Sequence, residues 1–272
     1  MGFSDRGVQI KTPDQIDAMR RAGLVVGRTL ELLRGAVRAG VTTGELDAIA
    51  EDHIRSSGAT PSFQGYHGFP ASICASVNDE VVHGIPGERV LADGDVISID
   101  CGAIVDGWHG DAAISVAVGE VPAEVTQLMH VTEESMWRGI AAAHLGGRVT
   151  DISNAVERHV RSAGRYGILE DYVGHGIGSE MHQPPNVPNF GRPGRGPKLV
   201  EGLALAVEPM ITLGGKQTDV LDDEWTVVTS DGSWAAHFEH TFTLTATGTW
   251  VLTALDGGEQ ALTALGVPFG GR

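Results

Sequence analysis

Five ionisable side chains lie where a folded chain tolerates charge least. Asp100 closes the run Val96-Ile97-Ser98-Ile99, and Asp111 opens onto Ala112-Ala113-Ile114. His175 is enclosed by Gly174 and Gly176, Glu208 follows Leu203-Ala204-Leu205-Ala206-Val207, and Glu239 lies within Phe238-Glu239-His240-Thr241-Phe242. A buried charge needs a partner or a metal ion. The chain must therefore either leave these segments at its surface or bring their polar groups together around cations. Four carboxylates and one imidazole suit a pair of divalent ions better than a structural zinc, and so point to metal-assisted hydrolysis. Singly, each residue has a plainer reading: a solvated pair for Asp100 and Asp111, a hydrogen-bonded loop residue for His175, a solvated edge for Glu239. The set of five makes the stronger case.

The pattern along the chain sets the fold class. Thr12-Pro13-Asp14-Gln15 is a capping box with Pro at the first helical position. Apolar residues then recur at helical spacing from Ile16 through Leu33, up to about Gly40. A second helix opens at Thr42-Thr43-Gly44-Glu45 and stops near Gly58. Residues 59–90 read as strands and turns. A strand ends at Asp100, a turn falls at Asp106-Gly107, and a return strand runs through Asp111 to Val118. The order then repeats: a long helix from Pro122 towards His144, another capped by Thr150 and running to about Ala163, a loop-rich stretch over 170–200, a strand over Leu203–Thr212, and a hairpin around Asp231-Gly232 joining Thr226–Ser230 to Ala235–Thr245. This is an α+β chain of two related halves. Its expected organisation is a short extension (1–12), one catalytic domain (13–255) and a Gly-rich, loose tail (256–272).

Hairpin geometry brings the first two acids together. With a two-residue turn at Asp106-Gly107, residue 100 faces residue 113, and Asp111 becomes the diagonal neighbour of Asp100 on one face. Diagonal pairs have Cα atoms roughly 7–8 Å apart, within reach of one cation pair.

Composition excludes several classes. The formal charge of −16 argues against a nucleic-acid footprint, which needs a basic face. The two cysteines, Cys74 and Cys101, make no disulfide framework. No apolar run approaches the roughly 18 residues of a membrane helix. The start Met1-Gly2-Phe3-Ser4-Asp5-Arg6 has no apolar h-region, and Arg6 spoils a myristoylation pattern. A cytoplasmic protein is the expectation. H-E-x-x-H, G-x-S-x-G and phosphate-loop motifs are absent, so zincin, serine-hydrolase and nucleotide readings lack support.

Longer motifs carry a resemblance. Gly65-Tyr66-His67-Gly68-Phe69-Pro70, Ser76-Val77-Asn78-Asp79-Glu80-Val81-Val82-His83-Gly84-Ile85-Pro86, Asp100-Cys101-Gly102, His109-Gly110-Asp111, Gly174-His175-Gly176-Ile177-Gly178 to His182, Glu208-Pro209-Met210 and Phe238-Glu239-His240-Thr241 resemble the type I methionine aminopeptidases of the pita-bread metallopeptidase superfamily, over roughly residues 10–250. The resemblance implies paired helices of two pseudo-symmetric halves on a curved antiparallel sheet. It implies two divalent ions (Co, Mn, Fe, Zn or Ni). Asp100 would chelate one, Asp111 and Glu239 would bridge both, and His175 and Glu208 would complete the other site. Glu208 would shuttle a proton, His182 would bind the scissile carbonyl or oxyanion, and His83 would contact the peptide nitrogen. Tyr66, Phe69, Cys74, Met181 and Trp225, with His83 and His182, would bind the substrate's methionine end. A tight second pocket would select a small second residue, which this chain's own Met1-Gly2 start would satisfy.

The chain departs from the usual pattern at Phe63, Met181, Ala235 and His237. The last two differ from the usual segment before Glu239, and this departure counts against the monovalent-cation site involving Asn78 that the resemblance would otherwise imply. Expected partners are nascent polypeptide N-termini, with a transient ribosome contact, no nucleic acid, no membrane and a monomeric state. The alternatives are a Pro-directed aminopeptidase of the same fold and a non-catalytic pita-bread binding protein. Against the first, only about ten residues precede the first helix; against the second, all five ligand positions carry competent residues.

Overall fold

The structure is a computed structural model that describes residues 7–272. The expectation attached to Met1 and Gly2 lies outside the described residues. Helices α1 (Pro13–Ala36) and α2 (Thr43–Ser56) begin as their capping boxes require: Thr12 Oγ1 accepts from Gln15 N while Gln15 Oε1 accepts from Thr12 N, and Thr42 and Glu45 do the same. Strands β1 (Thr60–Pro61), β2 (Ile73–Val77) and β3 (Glu80–Val82) follow, and then the long hairpin of β4 (Val96–Val105) and β5 (Trp108–Ala117). Its turn is the two-residue Asp106-Gly107, both at positive φ.

The second half opens with α3 (Ala123–Ala142) and α4 (Val149–Ala163). Thr150 is not the cap of α4. It lies in the first turn, where its hydroxyl donates to Arg195 O, and the free Arg148 N–H is met by the Asp151 carboxylate instead. Short strands β6 (Gly167–Ile168), β7 (Gly174–Gly176), β8 (Gln183–Val187), β9 (Ala204–Val207), β10 (Met210–Thr212), β11 (Thr218–Val220), β12 (Val227–Thr229) and β13 (Ala235–His237) lead to β14 (Glu239–Thr245), β15 (Gly248–Val251) and α5 (Glu259–Ala264).

The central sheet runs β1-β4-β5-β14-β9-β7-β8; β2 also pairs with β4, and β15 with β14. Strand pairing within it is antiparallel. The helices bury their apolar faces on it. Val26, Leu30, Leu46 and Ile54 from the first pair and Met136, Ile140, Ile152 and Val156 from the second share one core with Ile97, Ile99, Val207 and Phe242. One close approach is at Gly110, where a Cβ would come within 2.7 Å of the Gly23 backbone in α1; a side chain there would push the helix off the sheet.

Three further expectations fail. The run 203–212 is not one strand. Pro209 cannot donate to a ladder, so β9 ends in the central sheet and β10 enters a separate sheet with β6 and β13. The segments around Asp231-Gly232 do not pair as a hairpin: β12 joins β3 and β11, while β13 joins β10. The C-terminal segment is not loose. Leu262 is fully buried, Phe269 packs on the core, and Thr249 bridges Phe269.

Candidate active site

The five singled-out residues converge on four neighbouring strands and β7. Asp100 faces Ala113 across β4–β5, and Ala113 faces Glu239 across β5–β14. Directly opposed residues project to the same face, so one methyl group separates two carboxylates that stand about 10 Å apart at the backbone. Asp111, two residues before Ala113, faces the same way. His240 pairs with Val207, so continuing that register by one residue sets Glu208 opposite Glu239. Thr241 fixes this junction by donating to Asp111 O at 2.8 Å and accepting from Asp111 N at 3.2 Å.

His175 completes the group. Its Nδ1 lies 3.0 Å from Gly176 O, which can only accept, so the proton is on Nδ1 and the Nε2 lone pair faces the acids. Nε2 is 3.4 Å from Glu208 Oε1 and 3.9 Å from Asp111 Oδ2. A lone pair facing carboxylate oxygens is repulsive unless a proton or a cation lies between them. Suitable ligand atoms of Asp111, His175 and Glu239 lie within 4.8 Å of one another, as do those of Glu208, His237 and Glu239.

The electrostatics agree. Burial, then the neighbouring acids, pushes Asp111, Glu208 and Glu239 well above the ordinary carboxylate range, and burial raises Asp100 to about 7. Burial lowers His175 to about 3. Asp100 Oδ1, Asp111 Oδ1, Glu208 Oε1 and Glu239 Oε1 are buried without a hydrogen-bond partner. Desolvated acids, a neutral imidazole and orphaned oxygens form a donor set that divalent ions fit, and among the described residues no Lys or Arg forms an ion pair with it.

The carboxylates form the floor of a cavity of about 150 Å³ whose walls include Tyr66, Phe69, Cys74, His83, Met181, His182 and Trp225. Every residue expected at the site therefore reaches one cavity. The Phe69 and Trp225 rings meet edge to face at 5.1 Å, and His175 and His182 lie 4.3 Å apart. Tyr66 Oη is 2.8 Å from His182 Nδ1. Burial lowers His83 to about 4 and also lowers His182, so both rings are neutral near pH 7. His83 is held at positive φ, beside Trp225 and Tyr172. Cys74 and Cys101 are both free. Asn78 uses its side chain within the protein, donating to Asp95 and accepting from Val96 N, while Asn78 O accepts from Ala235 N.

Two contributors escaped assignment from sequence. Val82 lines the cavity, and His237 lies against Glu208. The available signal for His237 was alternation, since residues 237 and 239 share a face in an extended chain.

Comparison with known proteins places these features. Residues 17–246 match the profile of Metallopeptidase family M24. A methionine aminopeptidase of Clostridium acetobutylicum is 54% identical over 90% of this chain and 98% of its own length. The crystal structure of methionine aminopeptidase from Rickettsia prowazekii superposes with a TM-score of 0.88 at 38% identity, covering 90% of this chain and 99% of that one. Prolidase from Pyrococcus furiosus shares the fold alone, with a TM-score of 0.72 at 21% identity over 65% of its length. The chain belongs to metallopeptidase family M24, with the pita-bread fold, and within it to the type I methionine aminopeptidases. It is a metallo-aminopeptidase, a hydrolase that depends on divalent metal. Among the described residues no helix is long and apolar enough to cross a membrane.

Proposed function

We propose that this enzyme removes the initiator methionine from nascent chains whose second residue is small, using two divalent ions. Asp100, Asp111, His175, Glu208 and Glu239 would hold the ions, Asp111 and Glu239 contributing to both and His175 and Glu208 to the second. The observation that carries this reading is the convergence of four desolvated, unpartnered carboxylates and a neutral imidazole on the floor of one cavity. When bound, such ions would supply an acidified water and polarise the scissile carbonyl.

The protein's own groups do the rest. Glu208 takes the proton of the attacking water and passes it to the leaving amine; its raised affinity for protons suits that exchange. With Tyr66 O–H donating to Nδ1, neutral His182 presents Nε2–H to the carbonyl oxygen as charge develops there. His83 contacts the peptide nitrogen. Tyr66, Phe69, Cys74, Met181 and Trp225 hold the methionine thioether, which packs well on aromatic edges and sulfur. The physiological setting proposed is the cytoplasm, with a monomer meeting chains at the ribosome. A monovalent cation near Asn78 stays part of the proposal, since the side-chain and backbone oxygens of Asn78 each accept one hydrogen bond and keep a lone pair.

The test is hydrolysis of Met-Gly-Met-Met by metal-stripped protein before and after adding Mn or Co, with Glu208→Ala alongside. Metal-dependent release of free Met, lost in the variant, is expected. A folded protein that releases no Met with either metal refutes the reading and favours a Pro-directed peptidase or a binding role.

A further inference from the structure

We propose that His237 is a sixth protein ligand of this centre, forming with Glu208 and Glu239 a nitrogen-containing position that selects zinc-like ions. The inference rests on the dinuclear reading above. The five-residue ligand set leaves His237 with no task, yet the structure commits it to the centre. It is 1% exposed, and its Nε2 is buried without a hydrogen-bond partner. That nitrogen lies 3.9 Å from Glu208 Oε2, while His175 Nε2 lies 3.4 Å from Glu208 Oε1. Each oxygen of one carboxylate thus faces a different imidazole. Ligand atoms of Glu208, His237 and Glu239 fall within 4.8 Å of one another, which small side-chain adjustments bring to the spacing of donors about 2.1 Å from one ion. Glu208 and Glu239 each keep one orphaned oxygen, so all three members of the cluster carry an unmet polar atom.

The backbone that carries the ring is also anchored. The His237 backbone N–H donates to Ser115 Oγ at 2.9 Å, and Ser115 Oγ is 3.0 Å from His237 O, so the ends of β13 and β5 are clamped beside the centre. An unpartnered imidazole nitrogen could fill core space at lower cost as an apolar side chain, since burying it without a bond is unfavourable. A second nitrogen changes which ions are held. Imidazole suits zinc, cobalt and nickel, whereas manganese favours oxygen donors.

The test is metal affinity rather than turnover. Wild type, His237→Gln and His175→Ala, each stripped of metal and checked for wild-type folding by circular dichroism, are titrated with Zn(II) and with Mn(II) by calorimetry. For His237→Gln the Zn(II) Kd is expected to rise by about tenfold or more, while the Mn(II) Kd moves by less than about threefold. X-ray absorption of zinc-loaded wild type, expected to count two imidazoles over the loaded ions, covers the case in which the variant does not fold. A folded His237→Gln with unchanged Zn(II) affinity, or a wild-type spectrum with one imidazole, overturns the proposal. If His175→Ala also leaves Zn(II) affinity unchanged, the dinuclear reading itself has failed, a separate result.

Discussion

The two halves of the molecule arrive at the same centre by different routes. The first half presents Asp100 and Asp111 from a hairpin of two ten-residue strands joined by a two-residue turn. Every backbone pair between those acids is local, so their spacing is a property of one short segment. The second half presents Glu208 and Glu239 from β9 and β14, with two small sheets threaded between them in sequence. Their spacing depends on long-range pairing and on Pro209 ending β9 where it does. The first half supplies only carboxylates, while the second also supplies His175 and, in our proposal, His237. The helices differ as well: Thr capping boxes open α1 and α2, whereas Pro122 opens α3 without a side-chain bond. A local hairpin makes an oxygen platform, and the long-range half completes it with further carboxylates and an imidazole.

The largest test of this contrast compares one acid from each half. Asp111→Ala and Glu239→Ala are each expected to lower kcat/KM by about a thousandfold or more and to remove both ions, because each stands between two ligand groups. Asp100→Ala should spare one ion. Metal counting on purified variants checks the difference; equal loss in all three would mean that the bridging assignment is wrong.

Next comes the seam. Ala113 is the one side chain set between Asp100 and Glu239. Ala113→Leu is expected to destabilise the fold by about 1–3 kcal/mol through overpacking and to abolish tight metal binding. Chemical denaturation and metal titration measure the two effects separately.

Proton release distinguishes the acids from the imidazoles. Asp100 titrates near 7 in the metal-free protein, and its three partner acids are also raised, whereas burial keeps His83 and His175 neutral down to about 4 and 3. A bound cation favours the ionised carboxylate. Metal binding should therefore release more protons at pH 6, where Asp100 is protonated, than at pH 8.5, where it is not. Calorimetry in buffers of different ionisation enthalpy reads the count. No release at either pH value would show that the acids are already ionised.

The smallest effect sits farthest from the centre. Thr12→Ala removes the cap of α1 and should cost about 1 kcal/mol with the metal affinities unchanged, read from denaturation midpoints.

Legibility followed the same division. The capping boxes, the Asp106-Gly107 turn and the register that sets Asp100 against residue 113 could be read from neighbouring residues, since each rests on contacts within a few turns of chain. The strand break at Pro209 was open to inspection, but its consequence was not. A proline ends a ladder without saying which sheet the chain enters next. The apparent hairpin at Asp231-Gly232 had the right turn residues, yet β12 and β13 bury more by pairing with β3 and β10. Leu262 gave no periodic signal in a six-residue helix, and only the adjoining core accounts for its burial.

The amino-acid sequence alone thus determined the four long helices, the first hairpin and the identity of five candidate ligands, because charge in an apolar run and short-range pairing are local physical facts. The tertiary structure alone decided that the five meet over a single alanine and that His237 joins them with an unmet nitrogen. It also decided that the C-terminal segment closes the core. Those outcomes depend on which distant surfaces bury each other best, a choice that no short stretch of chain contains.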